Sequence, residues 1–138
     1  MAVHGGLLKL STAGDGDVVD ITPGVEAVVR QSEVQTGTVV VFAPGATVGV
    51  TTIEFEPGAV ADLRAWFDRH IPRDAGDQHN ARNNDTNGHA HLRAALIGPS
   101  ESIPVVGGRL ALGTWQQIVL VDFDDRPRER QVTVQVVS

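Results

Sequence analysis

The sequence of 138 residues contains no cysteine. This absence excludes a disulfide scaffold, a thiolate nucleophile and any zinc or iron–sulfur site that cysteine would hold. A metal bound by this chain must therefore be held by His, Asp, Glu or Asn side chains. The sequence also lacks a nucleophile elbow, a dinucleotide-binding glycine motif and a recognisable Ser-His-Asp arrangement, so none of these familiar chemistries is supported.

Positive charge is sparse as well. Lys9 is the single lysine, and the formal net charge is −6. Nonspecific binding of nucleic acid depends on clustered Lys and Arg, so we do not expect a nucleic-acid partner. The only dense basic group consists of Arg126, Arg128 and Arg130. We interpret it as a solvated turn between two strands rather than an anion site.

Long apolar stretches are missing too. No segment approaches the ~20 apolar residues needed to span a bilayer, and the first residues lack the charged start and apolar stretch of a signal peptide. We therefore expect a soluble, cytoplasmic protein without a membrane partner. The length, with 41 % hydrophobic residues, suits one globular domain over residues 1–138.

The apolar periodicity predicts strands and helices without a regular β-α-β alternation. This mixture indicates an α+β fold, a mostly antiparallel β-sheet packed with about three helices. The predicted strands cover residues 18–22, 38–42, 48–55, 102–106, 110–112, 118–123 and 132–137. We expect residues 38–42 and 48–55 to pair as a hairpin across Pro44-Gly45.

Three helices are predicted from capping residues and helical spacing. Thr22 is expected to be the N-cap of the first, which ends near Gly37. Pro57 opens the second helix, and Pro72 marks its end. The third covers residues 89–97, with Leu92, Ala95 and Leu96 as its apolar face. Residues 73–88 between the last two helices are polar and aperiodic, which predicts a long loop that is functional or disordered.

Potential ligands concentrate in this loop and at the start of the third helix. The group comprises His79, Asn80, Asp85, Asn87, His89 and His91. Imidazole nitrogen and carboxylate oxygen together can hold a divalent cation, although a solvated polar loop without a ligand is the alternative. Helical positions two apart differ by ~200° around the axis, so His89 and His91 cannot serve one site. His89 could instead be a half-buried packing residue.

Other polar residues allow two interpretations each. Glu54 and Glu56 lie on the same side of a strand, where paired carboxylates bind a metal or simply face water. Trp115 and Gln116 offer either an aromatic surface and an amide for a ring-bearing ligand, or a packing tryptophan after a turn. Ser100 follows a helix stop and could add a hydroxyl to a neighbouring site.

Two sequence motifs in the C-terminal half of the chain resemble those of a known family. The first is His91-Leu92 followed by Gly98, Ser100 and Pro104, and the second is Gly108-Arg109 followed by Gly113-Thr114-Trp115-Gln116. Together they resemble the YjbQ family. Upstream, His79-Asn80, Asp85, Asn87 and Glu54 match further segments of that family. One departure is that Gly45-Ala46-Thr47 stands where many members have His-Thr-Thr or His-Thr-Ser.

The resemblance implies an α+β subunit that assembles as a homotrimer and uses a divalent metal ion, Mg or Zn. It also implies a secondary thiamine-phosphate synthase activity, which joins a pyrimidine methyl diphosphate to a thiazole phosphate. On this basis we expect catalytic roles for His91, Asp85 and Glu54, substrate contacts from Asn87, Ser100, Arg109, Trp115 and Gln116, and metal ligands in His79, His91 and Asp85. The alternatives are a metal-dependent hydrolase and a non-catalytic trimeric protein that binds a metal or small ligand.

Overall fold

The computed structural model describes residues 1–138, which form eight strands and four helices. The strands are β1 (Val3–Thr12), β2 (Asp17–Asp20), β3 (Thr36–Phe42), β4 (Val48–Ile53), β5 (Ser100–Val106), β6 (Arg109–Leu110), β7 (Gln117–Asp122) and β8 (Arg128–Val137). The helices are α1 (Thr22–Ser32), α2 (Pro57–His70), α3 (Gln78–Asn83) and α4 (Gly88–Ile97). Every strand pair is antiparallel, which confirms the α+β prediction and adds a fourth helix. None of the helices combines the length and apolar character needed to cross a membrane.

The strands form two sheets. Five strands follow the order β1-β8-β3-β5-β6, and three follow the order β2-β7-β4. The main core of 17 buried residues includes residues of both sheets and the apolar side of α1. In β8 the valines at 132, 134 and 136 are fully buried and alternate with more exposed polar residues. This strand therefore has one wet face, as its alternating sequence predicts.

The strand β7 is buried on both of its faces. Ile118 and Leu120 belong to the main core, while Val119 and Val121 join a second cluster with Phe67 of α2 and residues of α4. A strand covered on both sides is expected to have a continuous apolar sequence, and residues 118–121 fit that pattern. This packing holds α4 against the three-stranded sheet and so positions the candidate ligands.

The predicted hairpin of residues 38–42 and 48–55 is wrong. The strand β3 pairs with β5 and β8, whereas β4 pairs with β7 in the other sheet. The connecting segment crosses between the sheets, with Ala43 donating to the Pro99 carbonyl and the Thr47 carbonyl accepting from Phe123. A Pro-Gly turn is equally compatible with a crossover, so turn residues alone do not determine which strands pair.

Thr22 is not the N-cap of α1, because Ile21 occupies that position. The Thr22 hydroxyl instead accepts a hydrogen bond from the Ile118 backbone N–H at 2.8 Å, which ties the start of the helix to β7. The helix also ends earlier than predicted, at Ser32. Glu33 then takes a left-handed conformation with φ 58°, which stops the helix.

Residues 73–88 are not one continuous loop, because α3 lies within them. The predicted apolar face of α4 is also wrong. Leu92 and Leu96 are 50 % and 62 % exposed, whereas the buried side includes His89 and Arg93. Arg93 can be buried because its guanidinium donates to the Ile71 carbonyl at 2.7 Å, so its polar atoms are satisfied.

The basic group near the C-terminus is a solvated turn only at Arg126, which is exposed between β7 and β8, whereas Arg128 and Arg130 lie in β8 and form ion pairs. Arg130 is only 7 % exposed, and its guanidinium forms a two-point contact with Asp122 at 2.7 Å and 3.0 Å. Arg128 pairs with Asp124, and both aspartates are buried. The spacing of two residues between the arginines reflects a strand, in which alternate side chains share one face.

Candidate functional site

The helices α3 and α4 bring His79 and His91 together. Their ring centroids are 4.5 Å apart and their planes are inclined by 42°. Both side chains are partly buried. The structure thus places two of the three predicted metal ligands side by side, although they come from different helices.

The approach of the two helices depends on Gly88. A Cβ atom at this position would lie 2.9 Å from Asn80 Oδ1 and 3.0 Å from Asp77 Cβ, which is too close for most contacts. The Gly88 backbone N–H donates to Asn80 Oδ1 at 2.9 Å, and His79 Nδ1 lies 3.1 Å from the same oxygen. A glycine at the start of α4 therefore allows α3 to carry its histidine to His91.

The histidine ring nitrogens that make no hydrogen bond in the chain are available to bind a metal. Nδ1 of His79 is engaged by Asn80, while Nε2 has no hydrogen-bond partner within the chain. His91 makes no side-chain hydrogen bond at all, unlike His79 and His70. Two partly buried imidazoles with free nitrogens are typical donors for zinc or a related transition metal.

Asp85 does not complete a metal site within one chain. Its side chain is exposed and accepts a hydrogen bond from the Thr86 backbone N–H at 2.8 Å. No group of three His, Asp or Glu side chains is arranged to hold a metal ion. The remaining ligand positions around a metal at the histidine pair would have to be filled from outside the chain.

The start of α4 is anchored to the end of β7 by polar contacts. Asn87 Nδ2 donates to Asp124 Oδ1 at 3.3 Å, and the Thr86 hydroxyl donates to Asp125. Burial acts to raise the pKa of the Asp124 carboxyl, but hydrogen bonds from Asn87 and Arg128 outweigh this effect and hold the pKa below its usual value. Asp124 is therefore ionised, and it links the core to the loop that carries the ligands.

Asp122 and Asp124 support the candidate site but were not among the residues predicted from the sequence. Their signal is indirect: acidic residues at alternate positions end an apolar strand, and arginines at alternate positions open the next one. β7 and β8 lie in different sheets, so the ion pairs Arg130–Asp122 and Arg128–Asp124 connect the end of one sheet to a strand of the other. Asp122 and Asp124 are buried, and Asp124 also accepts a hydrogen bond from Asn87.

His89 is the packing residue that its spacing suggested, and it is more deeply buried than expected, with 1 % exposure. Burial lowers the pKa of His89, and the positive charges of Arg93 and Arg73 lower it further. Three buried side-chain atoms lack any hydrogen-bond partner in the chain: Asp77 Oδ2, Asn87 Oδ1 and His89 Nδ1. All three belong to residues next to Gly88, where a bound water or ion would supply the partners they lack within the chain.

Glu54, Trp115 and Gln116 lie at the opposite end of the three-stranded sheet. Ile53 pairs with Gln117 at that end, whereas Val48 pairs with Asp122 at the end near the histidine pair. Five residues of antiparallel strand separate the two levels by about 17 Å. Gln116 is held by a bond to Thr52 Oγ1 at 3.0 Å, and Trp115 is 73 % exposed. A single chain therefore does not bring these residues to the histidines.

Arg109 and Ser100 also lie apart from the histidine pair. Arg109 begins β6 at the edge of the five-stranded sheet, where it lines a cleft of about 560 Å³ beside α1. Ser100 is exposed at the start of β5, beyond the C-terminal end of α4. The residues predicted to contact substrate are thus distributed over four regions of the subunit, with Asn87 alone next to the histidines.

Comparison with known proteins gives consistent matches over almost the whole chain. The family profile described as UPF0047 protein YjbQ-like matches residues 7–138. A UPF0047 protein of Archaeoglobus fulgidus is 38 % identical over 130 residues, which are 94 % of this chain and 98 % of the relative. A UPF0047 protein of Mycobacterium tuberculosis is 42 % identical over 112 residues, which are 80 % of this chain and 84 % of the relative.

Solved structures show the same similarity. A hypothetical protein from Aeropyrum pernix has a TM-score of 0.90 and 36 % identity, with 97 % of this chain and 98 % of that chain covered. A YbjQ-like protein of unknown function from Sulfolobus solfataricus has a TM-score of 0.89 and 32 % identity, with coverage of 98 % and 96 %. The two sheets and four helices described above are thus similar to experimentally determined folds.

Proposed function

Because this chain belongs to the UPF0047 family of YjbQ-like proteins, we propose that it is a metal-dependent transferase of the secondary thiamine-phosphate synthase kind. The names of the relatives specify no reaction, so the proposal depends on the site and on the motif resemblance. The observation that carries it is the contact of His79 and His91, whose rings are 4.5 Å apart. Two imidazoles on facing helices can supply two of the ligands of a divalent metal, which supports the proposal.

The proposed reaction joins a pyrimidine methyl diphosphate to a thiazole phosphate. The bond between the methylene carbon and the diphosphate oxygen breaks, and pyrophosphate leaves with the electron pair. The thiazole ring nitrogen forms the new bond to that carbon. A divalent cation held by His79 and His91 would supply the positive charge that stabilises the departing pyrophosphate.

The residues present fit zinc better than magnesium. Imidazole suits zinc and its neighbours in the first transition row, whereas magnesium prefers oxygen ligands and water. The unpaired oxygens of Asp77 and Asn87 lie near the start of α4 and offer polar contacts beside the pair. Asn87 is therefore the one predicted substrate contact with a direct role at this end of the subunit.

The proposal includes a homotrimer in which neighbouring subunits complete the site. One subunit alone leaves Glu54, Trp115 and Gln116 beyond the Ile53–Gln117 end of the sheet, which is about 17 Å along the strands from the Val48–Asp122 end. Leu92 and Leu96 form an exposed apolar strip on α4, next to His91 in sequence. Burial of this strip against a second copy would stabilise the trimer and could bring the two halves of the site together.

Turnover with the two thiamine precursors tests the enzyme directly. We expect zinc-loaded protein to form thiamine phosphate, and we expect His79→Ala and His91→Ala to abolish product formation while the fold is retained. His70→Ala is the matched control, since His70 is exposed and its ring stacks on Trp66 and contacts the Trp66 carbonyl within α2 rather than either histidine of the pair. Absence of product from the metal-loaded wild-type protein would eliminate the synthase activity.

A second candidate function is a non-catalytic trimeric protein that binds a metal. The segment Gly45-Ala46-Thr47 favours it, because no histidine stands there. The Thr47 hydroxyl is also occupied, since it accepts a hydrogen bond from Arg130 at 2.8 Å. Stoichiometric metal binding by the wild-type protein, lost in His79→Ala and without turnover of the precursors, would support this function over the enzyme.

A further inference from the structure

The side-chain oxygen of Asn80 meets two nitrogens at once. The Gly88 backbone N–H lies 2.9 Å from Asn80 Oδ1, and His79 Nδ1 lies 3.1 Å from the same atom. Asn80 is partly buried, at the junction of α3 and α4. The contact therefore connects the helix that carries His79 with the first turn of the helix that carries His91.

The backbone contact determines which amide atom faces the two nitrogens. A backbone N–H can only donate, so its partner on Asn80 must be the oxygen and not the NH₂ group. The Gly88 N–H thus determines which end of the Asn80 amide is the oxygen, although the oxygen and the NH₂ group are similar in shape. With the oxygen fixed as an acceptor, His79 Nδ1 must be the donor in the second contact.

We propose that Asn80 is a positioning residue that keeps His79 in the tautomer with the proton on Nδ1. A neutral imidazole carries one ring proton, so a proton on Nδ1 leaves Nε2 with a free lone pair. Nε2 is the nitrogen without a partner in the chain. The tautomer therefore prepares His79 to bind a metal through Nε2 before any metal arrives.

This inference rests on the proposed function only for the metal, because the tautomer exists without it. Partners that hold the second nitrogen of a metal-binding histidine fix its orientation, and their loss typically weakens metal binding by about 10–100-fold. Asn80 would act in the same way. Its second bond, to Gly88, fixes the amide relative to α4 and so relates His79 to His91.

The tautomer can be read by NMR on protein labelled with ¹⁵N at histidine. At a pH well above the ordinary histidine pKa of about 6.5, long-range ¹H–¹⁵N correlations distinguish protonated from unprotonated ring nitrogens. For the metal-free wild-type protein we expect His79 with a protonated Nδ1 and a free Nε2. Observation of a protonated Nε2 and a free Nδ1 would overturn the inference.

Two substitutions separate the role of the acceptor from the role of the fold. Asn80→Asp keeps an oxygen acceptor, so we expect it to retain the Nδ1–H tautomer. Asn80→Leu removes the acceptor at similar size, so we expect the proton to redistribute to Nε2. An unchanged tautomer in Asn80→Leu would contradict the proposal, and the wild-type and Asn80→Asp spectra test it even if Asn80→Leu fails to fold.

Zinc affinity measured by competition with a chromophoric chelator gives the second readout. We expect Asn80→Leu to weaken zinc binding by about 10–100-fold and Asn80→Asp to bind close to the wild type. Asn83→Leu is the control, because Asn83 Nδ2 bonds the His79 backbone carbonyl at 2.9 Å and not the ring. An equal loss in Asn83→Leu and Asn80→Leu would contradict a role through the ring.

The two proposals fail in different ways. If the wild-type protein shows the Nδ1–H tautomer and binds no zinc, the metal-dependent function is wrong and the tautomer assignment stands. If zinc binds and the tautomer is reversed, the assignment of Asn80 is wrong and the metal site stands.

Discussion

The substitution Asp122→Ala removes the most deeply buried charge of the molecule and is expected to destabilise it strongly. The Asp122 carboxylate has no exposure, and it accepts four hydrogen bonds. Its Oδ2 accepts from Thr12 Oγ1 at 2.6 Å and from Arg130 Nε at 2.7 Å. Its Oδ1 accepts from Arg130 Nη2 at 3.0 Å and from the Asp124 backbone N–H at 3.1 Å.

The magnitude follows from what remains after the change. Arg130 stays 7 % exposed and keeps Thr47 and, at 4.0 Å, Asp124 as partners, so most of its charge loses compensation. Loss of one member of a buried ion pair costs about 3–5 kcal/mol. For a domain of this size, that corresponds to a decrease in Tm of roughly 10–17 °C.

Urea unfolding followed by circular dichroism would measure this loss at neutral pH. Arg73→Ala is the matched control, because the Arg73–Asp15 ion pair is about half exposed, at 47 % and 54 %. An exposed pair contributes at most about 1 kcal/mol. A loss below about 1 kcal/mol for Asp122→Ala, or a loss equal to that of Arg73→Ala, would refute the reasoning.

The remaining predictions concern pH, assembly and helix packing. The lowered pKa of Asp124 contributes stability that is present above the unfolded-state pKa of about 4 and is lost as pH falls through the folded-state pKa. Asp124→Asn should therefore reduce the decline in unfolding free energy between pH 5 and about pH 2. An unchanged decline in this variant would contradict the prediction. Light scattering of the wild-type protein tests the proposed homotrimer, for which we expect three subunits, and Leu92→Glu with Leu96→Glu should then give folded monomers. An unchanged molar mass in this double variant would exclude the strip as an interface. Gly49→Ala should cost about 1–3 kcal/mol in urea unfolding, because its Cβ would lie 2.5 Å from Ile97 Cγ2, and a neutral effect would show that α4 shifts freely.

Local sequence patterns predict where the strands of this fold lie better than they predict which strands pair with each other. The apolar run of β7 and the alternation of β8 identify both strands, since burial on two faces or one face leaves a direct mark on composition. The assignment of β3 and β4 to different sheets leaves no such mark. It depends on contacts between residues far apart in the chain, which turn residues between the strands do not report.

The apolar periodicity of α4 does not predict which side of the helix is buried. Apolar residues normally face the core, but Leu92 and Leu96 face outward while His89 and Arg93 are buried. Arg93 is compensated by carbonyl groups at the end of α2, a partner that spacing along α4 does not reveal. Leu92 and Leu96 are therefore left as an exposed apolar strip on α4.

The sequence predicts which residue types could form the candidate site, but it predicts only part of their arrangement. The pairing of His79 with His91 is present, whereas Asp85 is exposed and held by its own turn. Ligands on two helices meet only if the helices pack closely, and here Gly88 permits that approach. Glu54 lies at the far end of the sheet because of the register in which β4 pairs with β7, and this register depends on the whole fold.

Zinc titration of the metal-free protein by calorimetry tests the central claim most directly. We expect saturable zinc binding by the wild-type protein and by His70→Ala. Both His79→Ala and His91→Ala should bind zinc at least about 100-fold more weakly, roughly the loss expected when one of few ligands is removed. Unchanged zinc affinity in His79→Ala and His91→Ala would contradict a metal site at the histidine pair.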